Sequence, residues 1–165
     1  MTIYTIGHSH VSIERFLGLL ALHCIDTLTD VRSQPHSRFV PHFNRQALQT
    51  ALAQVGIAYR YFGDRLGGRP SEPQYYCPDG SIDYNLLAQS LPYREGLRAL
   101  QDEARQSRLA IMCAEADFRR CHRYWLLTRS LVTAGVEVQH MLHTGELFGT
   151  DADAFSTVPD QLRLF

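Results

Sequence analysis

The sequence predicts an α/β fold, a three-layer sandwich in which helices cover both faces of a mostly parallel central sheet. Strand-like and helix-like segments alternate along the chain, which is typical of parallel sheets with right-handed crossovers. Residues 109–113 form an apolar run that is too short for a helix, as expected of a central parallel strand. The 165 residues suit one domain. We expect a single α/β domain over residues 1–148 and a flexible acidic tail over residues 149–165.

The first half of the chain holds three predicted strands and two predicted helices. They are, in order, a strand over residues 3–6, a helix that begins after Ser12, a strand over 25–31, a helix over 45–55 and a strand over 57–62. The two helices show apolar residues at helical spacing. Ser12 and Asn44 carry short polar side chains that can cap these helices, and Gly56 is a typical helix end.

The second half begins with a long loop and returns to alternating elements. Residues 63–82 are rich in Gly, Pro, Asp, Ser and Tyr, which is a loop composition. The elements predicted after it are helical residues 83–107 interrupted at Pro92, the strand over 109–113, a helix over 121–134 and a strand over 136–141. A polar tail is expected after Gly149.

Composition excludes some functions. All sixteen basic residues are arginine, so the chain has no lysine for a Schiff base or for a Walker-type phosphate loop. The net charge of −1 argues against a strongly basic coat for nucleic acid. The charge is unevenly distributed, however, because residues 32–69 hold six arginines and one acid, Asp64. The sequence therefore predicts a local basic surface beside an acidic tail.

The compartment is predicted from what the sequence lacks. No secretory signal is visible at the N-terminus, and no apolar stretch approaches the roughly 18 residues of a membrane span. We expect a cytoplasmic protein with no membrane partner. The four cysteines should then be reduced, and their spacing contains no Cys-x-x-Cys pair.

Polar side chains cluster where the predicted strands end. These residues are Gly7, His8 and Ser9 after the first strand, Asp30 and Arg32 after the second, Cys113 and Glu115 after the central strand, and His140 and His143 around the last. Carboxyl ends of parallel strands meet at one edge of a sheet, where ligands of α/β proteins bind. The pattern predicts an active site at this edge, although strand ends are also where polarity must begin in any protein.

Two of the chemistries that fit these residues use the cysteines. In the first, Cys113 or Cys121 is a thiolate nucleophile with His122 or His8 as its base. Arginine side chains would then hold an anionic group, and Arg32 and Arg123 are the candidates for this role. In the second, zinc is the cofactor, and Glu115 acts on a bound water. Its candidate ligands are His8, Cys113, Cys121 and His122.

A third chemistry needs no thiol. Glu115 and Asp30 would be the acid and base of a hydrolysis, and arginines would hold substrate phosphates. Cys113 and Arg119 also have the spacing of anion-binding cysteine loops in phosphatase-like and rhodanese-like folds, but Glu115 and Asp117 inside that loop would repel a phosphate. The residues alone leave all three chemistries open.

Several short motifs, in this order, resemble the bacterial family called domain of unknown function 488 (DUF488). The motifs are Thr5-Ile6-Gly7-His8-Ser9, Asp30-Val31-Arg32 with Pro35 and Ser37-Arg38, Phe43-Asn44, Leu66-Gly67-Gly68, Cys113-Ala114-Glu115 and Cys121-His122-Arg123. The resemblance runs from about Thr2 to His140. It implies an α/β fold and a site built from the motif residues, but it supplies no substrate. Residues 73–84, which are rich in tyrosine, do not match the family pattern.

The chain ends in a peptide of recognisable type. Gln161, Leu162, Leu164 and Phe165 fit the Gln-Leu-x-Leu-Phe peptide by which bacterial DNA-maintenance proteins bind the replication sliding clamp. A flexible linker can present such a peptide to an apolar pocket. The alternative is that Leu164 and Phe165 pack on the domain itself. Clamp binding would make DNA the expected partner, with arginines as phosphate contacts.

The sequence therefore predicts a DNA-associated enzyme, a repair or nucleic-acid hydrolase activity recruited through the clamp. The predicted catalytic residues are Cys113, Glu115, Cys121, His122, Arg123, His8 and Asp30. The predicted substrate-binding residues are Gly7, Ser9, Arg32, Arg38, Asn44, Gly68 and Arg69. The alternatives are a non-enzymatic adaptor for nucleic acid or protein, and rhodanese-like cysteine chemistry on a small molecule.

Overall fold

A six-stranded sheet forms the centre of the computed structural model, which describes residues 1–156. The strands are β1 Thr2–Gly7, β2 Thr27–Asp30, β3 Ala58–Tyr61, β4 Leu109–Cys113, β5 Glu137–Met141 and β6 Leu147–Thr150. Their order is β3-β2-β4-β1-β5-β6, and only β6 runs antiparallel to its neighbour. The predicted α/β fold with a mostly parallel sheet is confirmed.

Helices cover the sheet on both faces. They are α1 Ile13–Leu22, α2 Arg45–Gln54, α3 Gly63–Leu66, α4 Tyr84–Gln89, α5 Leu91–Ala104, a π-helix Arg123–Thr128 and α6 Arg129–Thr133. One apolar core packs α1 and α2 against the sheet, and a second core packs α3 to α6 and the π-helix against it. The arrangement is the predicted three-layer sandwich.

Local sequence explains the best-predicted elements. Every residue of β4 is buried, which is why this strand is apolar throughout. The Ser12 hydroxyl accepts a hydrogen bond from the backbone N–H of Arg15, so Ser12 caps α1 as expected. Asn44 precedes α2 as predicted, but its side chain does not cap the helix. Its Oδ1 accepts instead from the backbone N–H of Ser37, 2.6 Å away, and so ties down the loop before the helix.

Two helical predictions need correction. The predicted helical stretch 83–107 divides at Ser90 instead of Pro92, because the Ser90 hydroxyl caps α5. Pro92 then lies in the first turn, where proline costs no hydrogen bond. The predicted helix 121–134 begins as a π-helix, in which the Thr128 hydroxyl donates to the carbonyl of Arg123. Short π-helices occur frequently at functional sites.

The end of the described chain is more ordered than the sequence indicates. The predicted boundary at residue 148 falls inside β6, and residues 152–155 form a 3₁₀ turn. Phe155 is buried there against the ring of Tyr124. Residues 149–156 therefore belong to the folded domain, and the clamp-like peptide 161–165 lies outside the described residues. Within residues 1–156, no helix has the length and apolarity needed to cross a membrane.

Candidate active site

The carboxyl ends of β1 and β4 lie against each other. The backbone N–H of His8 donates to the carbonyl of Cys113 at 3.0 Å, and that of Ser9 donates to the carbonyl of Ala114 at 2.8 Å. A Cβ at Gly7 would lie 1.8 Å from the backbone oxygen of Glu115, so only glycine fits at this position. The end of β1 therefore forms one wall of the segment that follows Cys113.

Asp30 and Arg32 form a buried ion pair at the end of β2. The Arg32 guanidinium donates from Nε to Oδ1 at 2.9 Å and from NH2 to Oδ2 at 2.7 Å. The carboxylate also accepts from the backbone N–H of Arg32 and from the Tyr59 hydroxyl, 2.8 Å away. Burial and the Asp30 charge raise the pKa of Tyr59. Since Asp30 is fully buried and accepts four hydrogen bonds, its geometry suits support of the sheet edge.

His8 is held as a neutral ring. Its Nδ1 lies 2.9 Å from the carbonyl of Ser9, which can only accept, and its Nε2 lies 3.1 Å from NH1 of Arg32, which can only donate. The proton is therefore on Nδ1. Burial lowers the pKa of His8 to about 4, and the Arg32 charge acts in the same direction. With both nitrogens hydrogen-bonded and the ring stacked on Phe43, His8 lies beside the cysteines as a supporting residue.

Cys113, Cys121 and His122 form the one group in residues 1–156 whose side chains could together bind a metal ion. The Nδ1 atom of His122 lies 3.6 Å from Sγ of Cys113 and 3.7 Å from Sγ of Cys121. All three potential ligand atoms lie within 4.8 Å of one another. The residues are buried, with 8%, 5% and 8% of Cys113, Cys121 and His122 exposed. We call these three side chains the thiol–imidazole cluster.

The pKa values of the two buried thiols are shifted in opposite directions. Hydrogen bonding from the Cys121 thiol holds the pKa of Cys113 well below its usual value, and the neighbouring His122 and Arg123 contribute in the same direction. The same hydrogen bond and burial raise the pKa of Cys121. Of the two thiols, Cys113 is therefore the more readily ionised. None of the four cysteines forms a disulfide in the structure.

His122 owes its position to a glycine in the loop after α3. A Cβ at Gly68 would lie 2.5 Å from Cγ of His122, so the motif Leu66-Gly67-Gly68 leaves room for the imidazole ring. The other ring nitrogen, Nε2, is buried and has no hydrogen-bond partner among the described residues. A buried polar atom of this kind is unusual and marks a place where a water or a ligand can bind.

Arg123 stabilises the loop that follows Cys113. Its NH1 donates to the carbonyl of Glu115 at 2.6 Å, and NH2 donates to that of Ala116 at 3.2 Å. Arg123 is 1% exposed, which places its guanidinium under the loop and not on an open surface. The Glu115 side chain is exposed on the loop, and no partner for its carboxylate is found in the described part of the chain. Of the predicted acids and bases, Glu115 has the most freedom to meet a substrate.

The predicted phosphate-binding arginines differ in exposure. Arg38 and Arg69 are exposed, whereas Arg32 is buried in its ion pair. Arg38 stacks on the ring of Phe39, and the backbone N–H of Arg69 donates to the Ser33 hydroxyl. Ser9 is partly exposed beside His8 and has a left-handed backbone with φ of 46°.

Arg119 does not form the anion loop that its spacing from Cys113 indicates. Its guanidinium stacks on the rings of Phe118 and Phe148, at 4.6 Å and 4.8 Å. The Cys-x5-Arg spacing therefore has a packing explanation here. His140, also predicted at this edge, is buried and stacked on Phe118, with its Nδ1 2.7 Å from the Thr5 hydroxyl.

Tyr84 is a site residue that the motifs did not indicate. Tyr84 is half-buried, and its pKa is raised by burial and by the nearby Cys121 and Cys113. The positive charge of Arg69 opposes this shift. Tyr84 belongs to the tyrosine-rich segment that did not match the family pattern, and this mismatch was the only sequence signal for it.

The motifs that meet at this edge agree with a comparison to protein families. The family model described as domain of unknown function DUF488 matches residues 12–129. The chain belongs to the DUF488 family. The match covers the DUF488 motifs that hold Asp30, Gly68 and the thiol–imidazole cluster. No curated protein and no solved structure was found to match the chain.

Proposed function

We propose that this protein is a zinc-dependent hydrolase that acts on nucleic acid and uses the thiol–imidazole cluster as its metal centre. The distances within the cluster carry the proposal. With Zn–S near 2.3 Å and Zn–N near 2.0–2.1 Å, two ligands of tetrahedral zinc lie about 3.6 Å apart. The two sulfur-to-nitrogen distances are 3.6 Å and 3.7 Å.

The donor set fits catalytic zinc better than structural zinc. Structural sites have four protein ligands, whereas catalytic sites have three and leave one position to water, and two cysteines with one histidine are a known catalytic set. Zinc would lower the pKa of its bound water to about 7. Glu115, two residues beyond Cys113 and exposed, would exchange protons with that water, and Arg123 would fix the loop that carries it.

The nucleic-acid part of the proposal rests on charge and on the C-terminal peptide. The exposed side chains of Arg38 and Arg69 are suited to phosphate contacts at the same edge. The peptide over residues 161–165 would recruit the enzyme to DNA through the sliding clamp. A pull-down with purified clamp tests this step. The full chain should be retained and a chain ending at residue 160 should not, and equal retention would remove the clamp from the proposal.

Metal analysis tests the zinc centre. Protein purified without added metal should contain stoichiometric zinc, and Cys121→Ser should lose it because a thiolate ligand is removed. Cys24→Ser is the matched control, since Cys24 is an exposed thiol outside the cluster. A zinc-free wild type, or zinc retained by Cys121→Ser, would overturn the metal proposal.

A second candidate is thiolate chemistry, rhodanese-like, on a small molecule. The lowered pKa of Cys113 favours it, because hydrogen bonding from Cys121 and the neighbouring His122 make this thiol easier to ionise without a metal. In that case wild-type protein would be active without zinc, Cys113→Ser would abolish activity, and removal of residues 161–165 would leave activity unchanged.

A further inference from the structure

A groove lies between α4 and α5 on one side and the π-helix and α6 on the other. Its volume is about 650 Å³, within the range of sites for small ligands. Two arginines line it, Arg94 on α5 and Arg129 on α6. No Asp or Glu lines it among the described residues. Two guanidinium groups without a carboxylate favour an anionic ligand.

The other side chains of the groove suit an aromatic group. Trp125 and Tyr84 offer aromatic rings, and Gln89 offers an amide that can both donate and accept hydrogen bonds. Asn85 holds Arg129 in place, because its Oδ1 accepts from NH1 of that arginine at 3.0 Å. The Trp125 ring is fixed because its Nε1 donates to the carbonyl of Arg119 at 2.7 Å. A fixed aromatic ring beside cationic side chains is the combination that binds nucleotides, because bases stack on rings and phosphates pair with arginine.

The π-helix joins this groove to the candidate active site. It begins at Arg123, directly after His122 of the cluster, and within six residues it supplies Trp125 and Leu126 to the groove wall. Tyr84 also lines the groove, and the cysteines of the cluster are among the groups that raise its pKa. The groove and the cluster therefore share one helix, which begins next to His122.

We propose that the groove binds a nucleotide unit, with its base stacked on Trp125 and its phosphate paired with Arg94 and Arg129. The assignment deepens the proposed function, on which it rests for the reaction that follows. It predicts that the substrate is held as an unpaired nucleotide, because a base inside a duplex has no free face to stack. The unit comes either from a free mononucleotide or from a single strand, and both carry the same base and phosphate chemistry.

Trp125 makes the proposal testable, because it is the only tryptophan in the chain. Tetrathymidylate and thymidine monophosphate should each quench the tryptophan fluorescence of the full-length protein in a saturable way. Tighter binding of the tetramer identifies a single strand as the source, and equal affinity identifies the mononucleotide. Absence of quenching by either probe, or equal quenching by inorganic phosphate, would overturn the proposal.

Variants on α5 distinguish binding in the groove from nonspecific binding to surface charge. Arg94→Gln should weaken tetrathymidylate binding about tenfold, since one charge-assisted contact is lost. Arg98→Gln is the matched control, because Arg98 is exposed on the same helix and does not line the groove. Equal weakening by both variants would assign the binding to nonspecific charge and overturn the groove. A second measurement tests the stacking contact. It follows the anisotropy of labelled tetrathymidylate as this probe binds the Trp125→Phe variant.

The proposal of a binding groove and the proposal of a zinc centre can be tested separately. The titration is repeated with Cys121→Ser, which lacks a proposed zinc ligand but keeps every residue that lines the groove. Quenching that persists in this variant supports the groove whether or not zinc is found. Quenching that requires Cys121 would overturn the groove as a binding site in its own right.

Discussion

Two regions of the same sheet edge hold their buried ionisable groups in opposite ways. At the end of β2, the Asp30 carboxylate accepts four hydrogen bonds, and both nitrogens of His8 are engaged. At the end of β4, Nε2 of His122 and Nε of Arg123 are buried without a partner in the described residues. Saturated groups are suited to support, and unsaturated groups can bind something more. The candidate chemistry therefore belongs at the β4 end.

The largest expected effect tests the supporting role of the β2 end. Asp30→Asn removes one charge of a buried pair and leaves the Arg32 guanidinium uncompensated. The free energy of unfolding should fall by about 3–5 kcal/mol, measured by urea denaturation. Asp64→Asn is the control, since Asp64 is exposed and 3.9 Å from Arg65, and such pairs contribute about 0–1 kcal/mol. A loss for Asp30→Asn no larger than the control would contradict the comparison.

The second effect tests the β4 end through Gly68. An alanine side chain there would lie within 2.9 Å of three atoms of His122, so the imidazole must move. We expect zinc affinity to fall about 10- to 100-fold, as when the support of a metal ligand is lost, measured by competition with a chelator. Gly18→Ala is the control, because a Cβ at Gly18 meets nothing within 4 Å. Unchanged affinity in Gly68→Ala would show that His122 does not bind the metal.

The sequence predicts that the site lies at this edge of the sheet. It does not predict which polar groups at the β2 and β4 ends have hydrogen-bond partners. Parallel strands bring Asp30 and Cys113 to the same side of the sheet, and this follows from the alternation of elements. Whether a polar group is saturated depends on distant partners such as the Tyr59 hydroxyl and the Phe43 carbonyl, which bond to Asp30 and Arg32. No local pattern encodes such contacts.

Two elements, the π-helix and β6, were not predicted from the sequence, and the causes are related. The π-helix at Arg123–Thr128 differs from an α-helix by a local change in hydrogen bonding, which apolar spacing cannot resolve. β6 is four residues long and largely exposed, so its sequence resembles a loop. Two of the residues that line the groove, Trp125 and Leu126, lie on this π-helix.

A third, smaller effect concerns acid stability away from the cluster. Burial lowers the pKa of His140 to about 3, and the charges of Arg123 and Arg119 add to the shift. The unfolded chain therefore binds this proton more readily, so the stability contributed by neutral His140 is complete above about pH 6.5 and declines as the pH falls toward 3. The slope should be at most about 1.4 kcal/mol per pH unit.

His140→Gln isolates this slope, because glutamine keeps polar contacts to the Thr5 and Thr150 hydroxyls without titrating. Urea denaturation at several pH values between 7 and 4 should show a steeper decline for wild type than for the variant. Parallel curves would mean that His140 is not buried as a neutral ring.

Of these variants, Glu115→Gln should change the stability least, and it tests the proposed function most directly. Glu115→Gln alters an exposed side chain, so the free energy of unfolding should change by no more than about 0.5 kcal/mol. Zinc content should also be unchanged, because Glu115 is outside the thiol–imidazole cluster. Hydrolysis of single-stranded DNA should nevertheless be lost if Glu115 exchanges protons with the bound water, while Trp125 quenching by tetrathymidylate persists. An adaptor would keep both its binding and its biological role in this variant, since binding alone needs no proton transfer. The β4 end would then differ from the β2 end in metal binding and not in catalysis.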